Sequence, residues 1–189
     1  MADVKNVTTG KVRFSFVHLT KPYAYDPGQD EKYSVTCLLP KSDTTTKARI
    51  DAAIEAAKKE GMSKKWGGKL PAMIDIPVYD GDGLRPKGEP FGPECKGCWV
   101  FTPKCSPDNY IPEIVDAYNN PIINPAEIYS GMYGRVNFTA YAYSSHGNNG
   151  IGLGLGPVQK LEDGEALSGA PLSAASAFGD PVSDPSSML

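Results

Sequence analysis

Long apolar runs are missing from this 189-residue chain. None approaches the roughly 20 residues that a membrane-crossing helix needs, and Met-Ala-Asp-Val-Lys-Asn at the start carries no apolar stretch of signal-peptide type. Histidine occurs only as His18 and His146, neither beside a nucleophile motif, and the carboxylates are scattered singly. A hydrolytic triad or an acid/base pair therefore has little to be built from, and neither an enzyme nor a cofactor is expected. No Gly-Lys-Ser/Thr phosphate loop occurs. The glycines at 150, 152, 154 and 156 alternate in a register that does not give the dinucleotide fingerprint, with Pro157 behind them.

Cysteine is sparse too: Cys37, Cys95, Cys98 and Cys105. Without an export signal, reduced thiols are the simplest expectation. Cys95-Lys-Gly-Cys98 is half of a zinc knuckle, but there is no second Cys-x-x-Cys, and Cys98 runs straight into the strand-like Trp99-Val-Phe-Thr. Reduced loop cysteines are expected, with Cys95, Cys98 and Cys105 as the alternative metal set. Asp80-Gly-Asp-Gly has the look of a calcium loop, yet the pattern would need Gly at 85 and Glu at 91, where Arg85 and Phe91 stand.

An excess of positive charge is also missing. There are 19 Lys and Arg against 22 Asp and Glu, for a net charge of −3. Averaged over the chain, this argues against a polyanion partner. The charge is unevenly spread, however. Residues 162–189 hold Glu162, Asp163, Glu165, Asp180 and Asp184 and no base, which leaves 19 bases against 17 acids, or +2, in residues 1–161. The chain is expected to divide into a domain over 1–163 and a flexible acidic tail, rich in Ser, Ala and Pro, over 164–189.

What the chain does have is alternation. Lys11 to Leu19 reads as a strand with Val12, Phe14 and Phe16 on one face, and Lys32 to Leu39 as a second. Gly134 to Tyr143 sets Val136, Phe138, Ala140 and Ala142 against Arg135, Tyr141 and Tyr143, and Ile151 to Leu161 returns as the last hairpin arm. Ile74–Tyr79, Trp99–Thr102 and part of 108–117 are shorter candidates. One helix is expected at about 43–60, capped by Ser42 or Asp43, with Ile50, Ala53, Ile54 and Ala57 as its apolar stripe and Gly61 as its stop. The fold class is mainly β: an OB-fold-like Greek-key barrel with one inserted helix. The alternating glycines would admit a barrel-closing bend, a close-lying base, or the rings of Tyr141 and Tyr143.

Of 18 aromatic rings, 10 are Tyr, and several stand beside cations: Tyr23 and Tyr25 near Lys21, Trp66 after Lys64-Lys65, and Tyr133 before Arg135. Rings and cations on one exposed sheet suit unpaired nucleic acid, since bases stack on the rings while phosphates meet the charges.

The block Tyr129-Ser-Gly-Met-Tyr-Gly-Arg-Val-Asn-Phe-Thr-Ala-Tyr-Ala-Tyr, then Gly147-Asn-Asn-Gly-Ile-Gly-Leu-Gly-Leu-Gly-Pro, resembles the single-stranded-DNA-binding proteins of phages and prophages, a family first catalogued as a domain of unknown function. Gly10-Lys-Val-Arg-Phe-Ser-Phe and Ile114-Val-Asp fit the same family. The resemblance implies an OB-fold that coats single-stranded DNA in phage replication or recombination, without sequence preference, in the cytoplasm of a bacterial host. It also implies replication or recombination partners reached through an acidic tail. This tail departs from the strongest form of that pattern: its acids are spaced out, and it finishes Asp184-Pro-Ser-Ser-Met-Leu.

On this reading Arg13, Lys104 and Arg135 meet phosphates, and Trp99, Tyr133, Tyr141 and Tyr143 offer stacking surfaces. Lys11, Lys87 and Tyr79 are further DNA-binding candidates. A homodimer stays open. The alternative is a β-rich phage structural or interaction protein whose tyrosine strands form an interface.

Overall fold

A computed structural model describes residues 3–167. Ten elements follow in chain order: β1 (Asn6–Thr8), β2 (Val12–Tyr23), β3 (Lys32–Pro40), α1 (Thr44–Lys64), β4 (Val78–Asp80), β5 (Cys98–Phe101), β6 (Lys104–Cys105), β7 (Ile114–Val115), β8 (Tyr133–Ser145) and β9 (Asn148–Glu162). Two single-turn 3-10 helices, Pro93–Cys95 and Pro125–Glu127, sit in the connections.

The sheet closes on itself. β8 pairs with β2, β2 with β3, β3 with both β5 and β6, β6 with β9, and β9 with β8. β5 and β6 act as one strand broken at Thr102-Pro103, where proline cannot donate to the ladder. Every contact in the ring is antiparallel except β6–β9, which is parallel through Lys104 and Gly154. A closed five-strand ring with one parallel seam is the OB-type barrel expected from the strand pattern. β1 adds to β8, β4 to β5 and β7 to β9 outside the ring.

Inside the barrel, Phe14, Val35, Cys37, Leu39, Phe101, Val136, Phe138 and Ala140 are fully buried. β3 is covered on both faces. Tyr33, Val35, Cys37 and Leu39 point to this core, while Leu38 joins a second small cluster with Cys95 and Val100 on the outside of the barrel.

The helix is longer than its sequence pattern suggests. Asp43 caps it, accepting from the Thr46 amide at 3.0 Å, and Ile50, Ala53, Ile54 and Ala57 face the core. Gly61, expected to end the helix, lies within it. A Cβ there would meet the Ala142 Cβ at 2.5 Å and the Trp66 ring at 2.9 Å, so this glycine lets α1 approach β8. The helix ends instead at Lys64, where the Lys65 amide donates to the Gly61 carbonyl, and positive φ follows at Gly67 and Gly68. The β8–β9 hairpin turns tightly through His146 and Gly147, both at positive φ, as a primed two-residue turn demands.

Strand β2 departs most from simple alternation. Val12 and Phe14 are buried, but Phe16 is 48% exposed. Its φ is +45°, and the pairing with β3 shifts register between Ser15 and His18. This bulge turns the Phe16 ring from the core to the outside of the barrel.

Candidate nucleic-acid interface

The outer surface of β2, β3, β5/β6 and β9 carries a groove made of three joined depressions. The central basin, about 780 Å³, lies between Phe16, Tyr25, Tyr79, Tyr141 and Tyr143, with Lys32, Arg85 and Lys104 among its walls. Through Tyr25, Lys32 and Lys104 it opens into a basin of about 460 Å³ that reaches Tyr23 and Gln29. Through Phe16, Tyr79 and Arg85 it opens into one of about 450 Å³ that reaches Lys87 and Phe91. The floor is short and polar: Ser15, Ser34, Thr36 and Thr102, with Thr36 Oγ1 and Thr102 Oγ1 sharing a hydrogen bond at 2.9 Å. Small floor residues leave the rings standing above them as walls.

Each wall residue is held by a distinct local cause. Phe16 is placed by the β2 bulge. Positive φ is uncommon for a bulky residue and costs on the order of 1–3 kcal/mol. Tyr141 and Tyr143 lean across β9 onto Gly152 and Gly150, where a Cβ would come within 2.4 Å of the Tyr141 Cζ and 2.6 Å of the Tyr143 hydroxyl. The alternating glycines are thus a slot for these rings. Tyr79 stands on β4 opposite Val100 and tilts toward Phe91, over whose ring Arg85 lies at 4.8 Å. Tyr25 meets Tyr23 edge-on at 5.0 Å, and Tyr23 stacks flat on His18 at 4.4 Å with 6° between the planes.

Burial pushes the phenols of Tyr25, Tyr79 and Tyr141 above their ordinary range. Tyr143 is pushed the same way by burial and by the Asp75 carboxylate, which its hydroxyl approaches at 3.5 Å. All four stay neutral at neutral pH. Lys104 is held below its ordinary value, first by its packing in the groove and then by the charge of Lys32. Two neighbouring ammonium groups that form no ion pair among the described residues are relieved by an anion.

The groove gathers Tyr79, Lys87, Lys104, Tyr141 and Tyr143 from the sequence candidates. The others lie elsewhere. Trp99 is on the opposite face of β5 from Val100, under the ammonium groups of Lys41 at 5.0 Å and Lys47 at 4.5 Å. Arg135 donates from Nε to the Thr9 carbonyl at 3.0 Å. Lys11, Arg13 and Tyr133 form a separate group that holds the end of the described chain. Lys11 pairs with Glu162, both cations lie over the Tyr133 ring, and Arg13 donates from Nη2 to the Glu165 carbonyl at 2.6 Å. Tyr129 joins this docking by donating to Asp163 at 2.8 Å, and the Leu167 amide donates to the Ser130 carbonyl at 2.9 Å. The Tyr129-Ser-Gly-Met-Tyr stretch is therefore a seat for residues 163–167. The rest of the expected tail, from 168, lies outside the described residues.

Phe16, Tyr25, Lys32 and Arg85 are groove residues outside the DNA-binding candidates read from the sequence. Tyr25 beside Lys21 carried a signal; Phe16 was hidden by its bulge. Cys95 is buried against Leu38 and Val100, and the Cys105 thiol faces the Tyr110 carbonyl at 3.5 Å. Among the described residues no group of three or more His, Cys, Asp or Glu could hold a metal ion, and no helix is long and apolar enough to cross a membrane.

An OB-type barrel whose outer face carries a groove of exposed rings and cations defines the class. The sequence profile of the single-stranded-DNA-binding protein of Enterobacter phage Enc34 matches residues 5–188, and the chain belongs to that family. Among solved structures it is similar to the single-stranded-DNA-binding protein from bacteriophage Enc34 in complex with single-stranded DNA, at 28% identity and a TM-score of 0.72, over 87% of this chain and 90% of that one. A second structure of the bacteriophage Enc34 protein gives 27% identity and a TM-score of 0.71, over 92% of this chain and 90% of that one. The single-stranded-DNA-binding protein gp2.5 of bacteriophage T7 shares the fold at 15% identity, with a TM-score of 0.60 over 90% of this chain and 99% of that one. A search of curated protein sequences finds no match.

Proposed function

We propose that this protein binds single-stranded DNA in the groove, as a non-enzymatic coat protein of phage DNA replication or recombination in the cytoplasm of the bacterial host. Bases stack on Phe16, Tyr25, Tyr79 and Tyr141, while Lys32, Lys104, Arg85 and Lys87 meet the phosphates. The observation that carries this reading is the continuity of the groove, which lines up exposed rings and cations that form no ion pair among the described residues along one path. Stacking contributes roughly 1–3 kcal/mol per base, so two or three rings sustain binding at low net charge. Family membership and the Enc34 protein's complex with single-stranded DNA support it. A duplex keeps its base faces stacked inside and has nothing to offer the rings.

Fluorescence anisotropy with oligo-dT and a matched duplex tests the reading. A marked preference for oligo-dT, weakening as salt rises, is expected. Equal binding of both, or none, overturns it. On the same reading the acidic C-terminal tail reaches replication or recombination proteins, and removing residues 168–189 tightens DNA binding at low salt if the tail competes for the cations.

A further inference from the structure

Among the described residues the central basin is lined by three cations, Lys32, Arg85 and Lys104, and one carboxylate, Asp75. A carboxylate in a phosphate-binding groove weakens binding unless it meets something other than phosphate. Asp75 is also held firmly in position. Its amide donates to the Asn149 carbonyl and its carbonyl accepts from the Ile151 amide, both at 2.9 Å, in a parallel bridge to Gly150. Its side chain lies beside the Tyr143 hydroxyl and raises the phenols of Tyr143 and Tyr79. None of the ion pairs among the described residues uses it.

The same flank of β9 carries both charges: Asp75 bridges at Gly150 and Lys104 pairs at Gly154. Their backbone positions along β9 are four residues apart, roughly 13 Å of strand. Asp75 thus enters the basin from a different point than Lys104, beside the phenols of Tyr79 and Tyr143, where the edge of a base stacked on these rings would meet it. A carboxylate is acceptor-only, with two oxygens side by side. Guanine presents two adjacent donors, N1–H and the N2 amino group, which match it in a bidentate pair. Thymine offers N3–H flanked by two carbonyls, and adenine and cytosine each offer an amino group beside a ring acceptor.

We infer that Asp75 is a base-reading residue that gives the groove a subsite preferring guanine, within otherwise sequence-tolerant binding. This rests on the proposed single-strand role. The test compares oligo-dT with the same oligomer carrying interspersed 7-deazaguanine, which keeps N1–H and the N2 amine and does not form quadruplexes. Preference for the guanine-bearing strand by about five-fold, the low end for a bidentate contact, is expected. Hypoxanthine in its place, lacking the N2 amine, should lose most of the gain. Asp75→Asn should bring the two strands to equal affinity while tightening oligo-dT. Equal affinity of wild-type protein for all three strands, or a preference that survives Asp75→Asn, overturns the inference and leaves single-strand binding standing. Failure of every strand to bind overturns the function instead.

Discussion

Tyr141 lies across the backbone of Gly152, so close that a Cβ at position 152 would come within 2.4 Å of the phenol Cζ. The ring's place over the groove therefore depends on an absent side chain on the neighbouring strand. Gly152→Ala should push Tyr141 off β9 and weaken single-strand binding about as much as Tyr141→Ala does, roughly ten-fold, from the lower half of the stacking range. Circular dichroism should show the barrel intact. Undiminished binding by Gly152→Ala would separate the ring from the site.

The groove and the rest of the surface should respond differently to ring deletion. Phe16→Ala and Tyr25→Ala are expected to weaken oligo-dT binding by about ten-fold each. Trp99→Ala, on the helix side of β5, should leave affinity nearly unchanged while lowering thermal stability, because that ring packs against the core. Titration and melting of the same three variants check this together.

Lys104 links binding to pH and salt. Its pKa is lowered in the free protein, first by burial and then by Lys32. A bound phosphate favours the charged form and raises it. Binding therefore takes up protons once the pH reaches the lowered free-state pKa, and affinity falls as the pH rises from there toward the ordinary lysine range. Oligo-dC, whose bases do not ionise in that range, is the probe. Lys104→Gln should flatten the pH profile and reduce the salt slope by about 0.7, one phosphate's share for a single strand.

Gly131 has φ +114°, and a Cβ there would lie 2.1 Å from the Glu165 carbonyl. Gly131→Ala should undock residues 163–167 and lower stability by about 1–3 kcal/mol, seen as a drop in Tm. Because Arg13 and Tyr133 serve this docking, oligo-dT affinity should change little.

Alternation in the sequence disclosed the barrel strands β2, β3, β8 and β9, and Asp43 with the Ile50–Ala57 stripe disclosed the helix. These signals are local: a pleat of period two and a turn of 3.6 residues. What depended on long-range geometry was not legible. The bulge that exposes Phe16 looks like a continued apolar face in sequence. Gly61 looks like a helix stop because nothing nearby announces Ala142. The packing of Arg13 and Tyr133 beside residues 163–167 is long-range in the same way. The outward placement of Tyr141 and Tyr143 was legible because strand parity and the glycines opposite them agree.

The central claim is that single-stranded DNA lies in the groove walled by Phe16, Tyr25, Tyr79 and Tyr141. Photocrosslinking of the full-length protein to 5-iodouracil-substituted oligo-dT, followed by peptide mapping, tests it most directly. Crosslinks at these four rings are expected. Crosslinks confined to Trp99 or Tyr133 would contradict it.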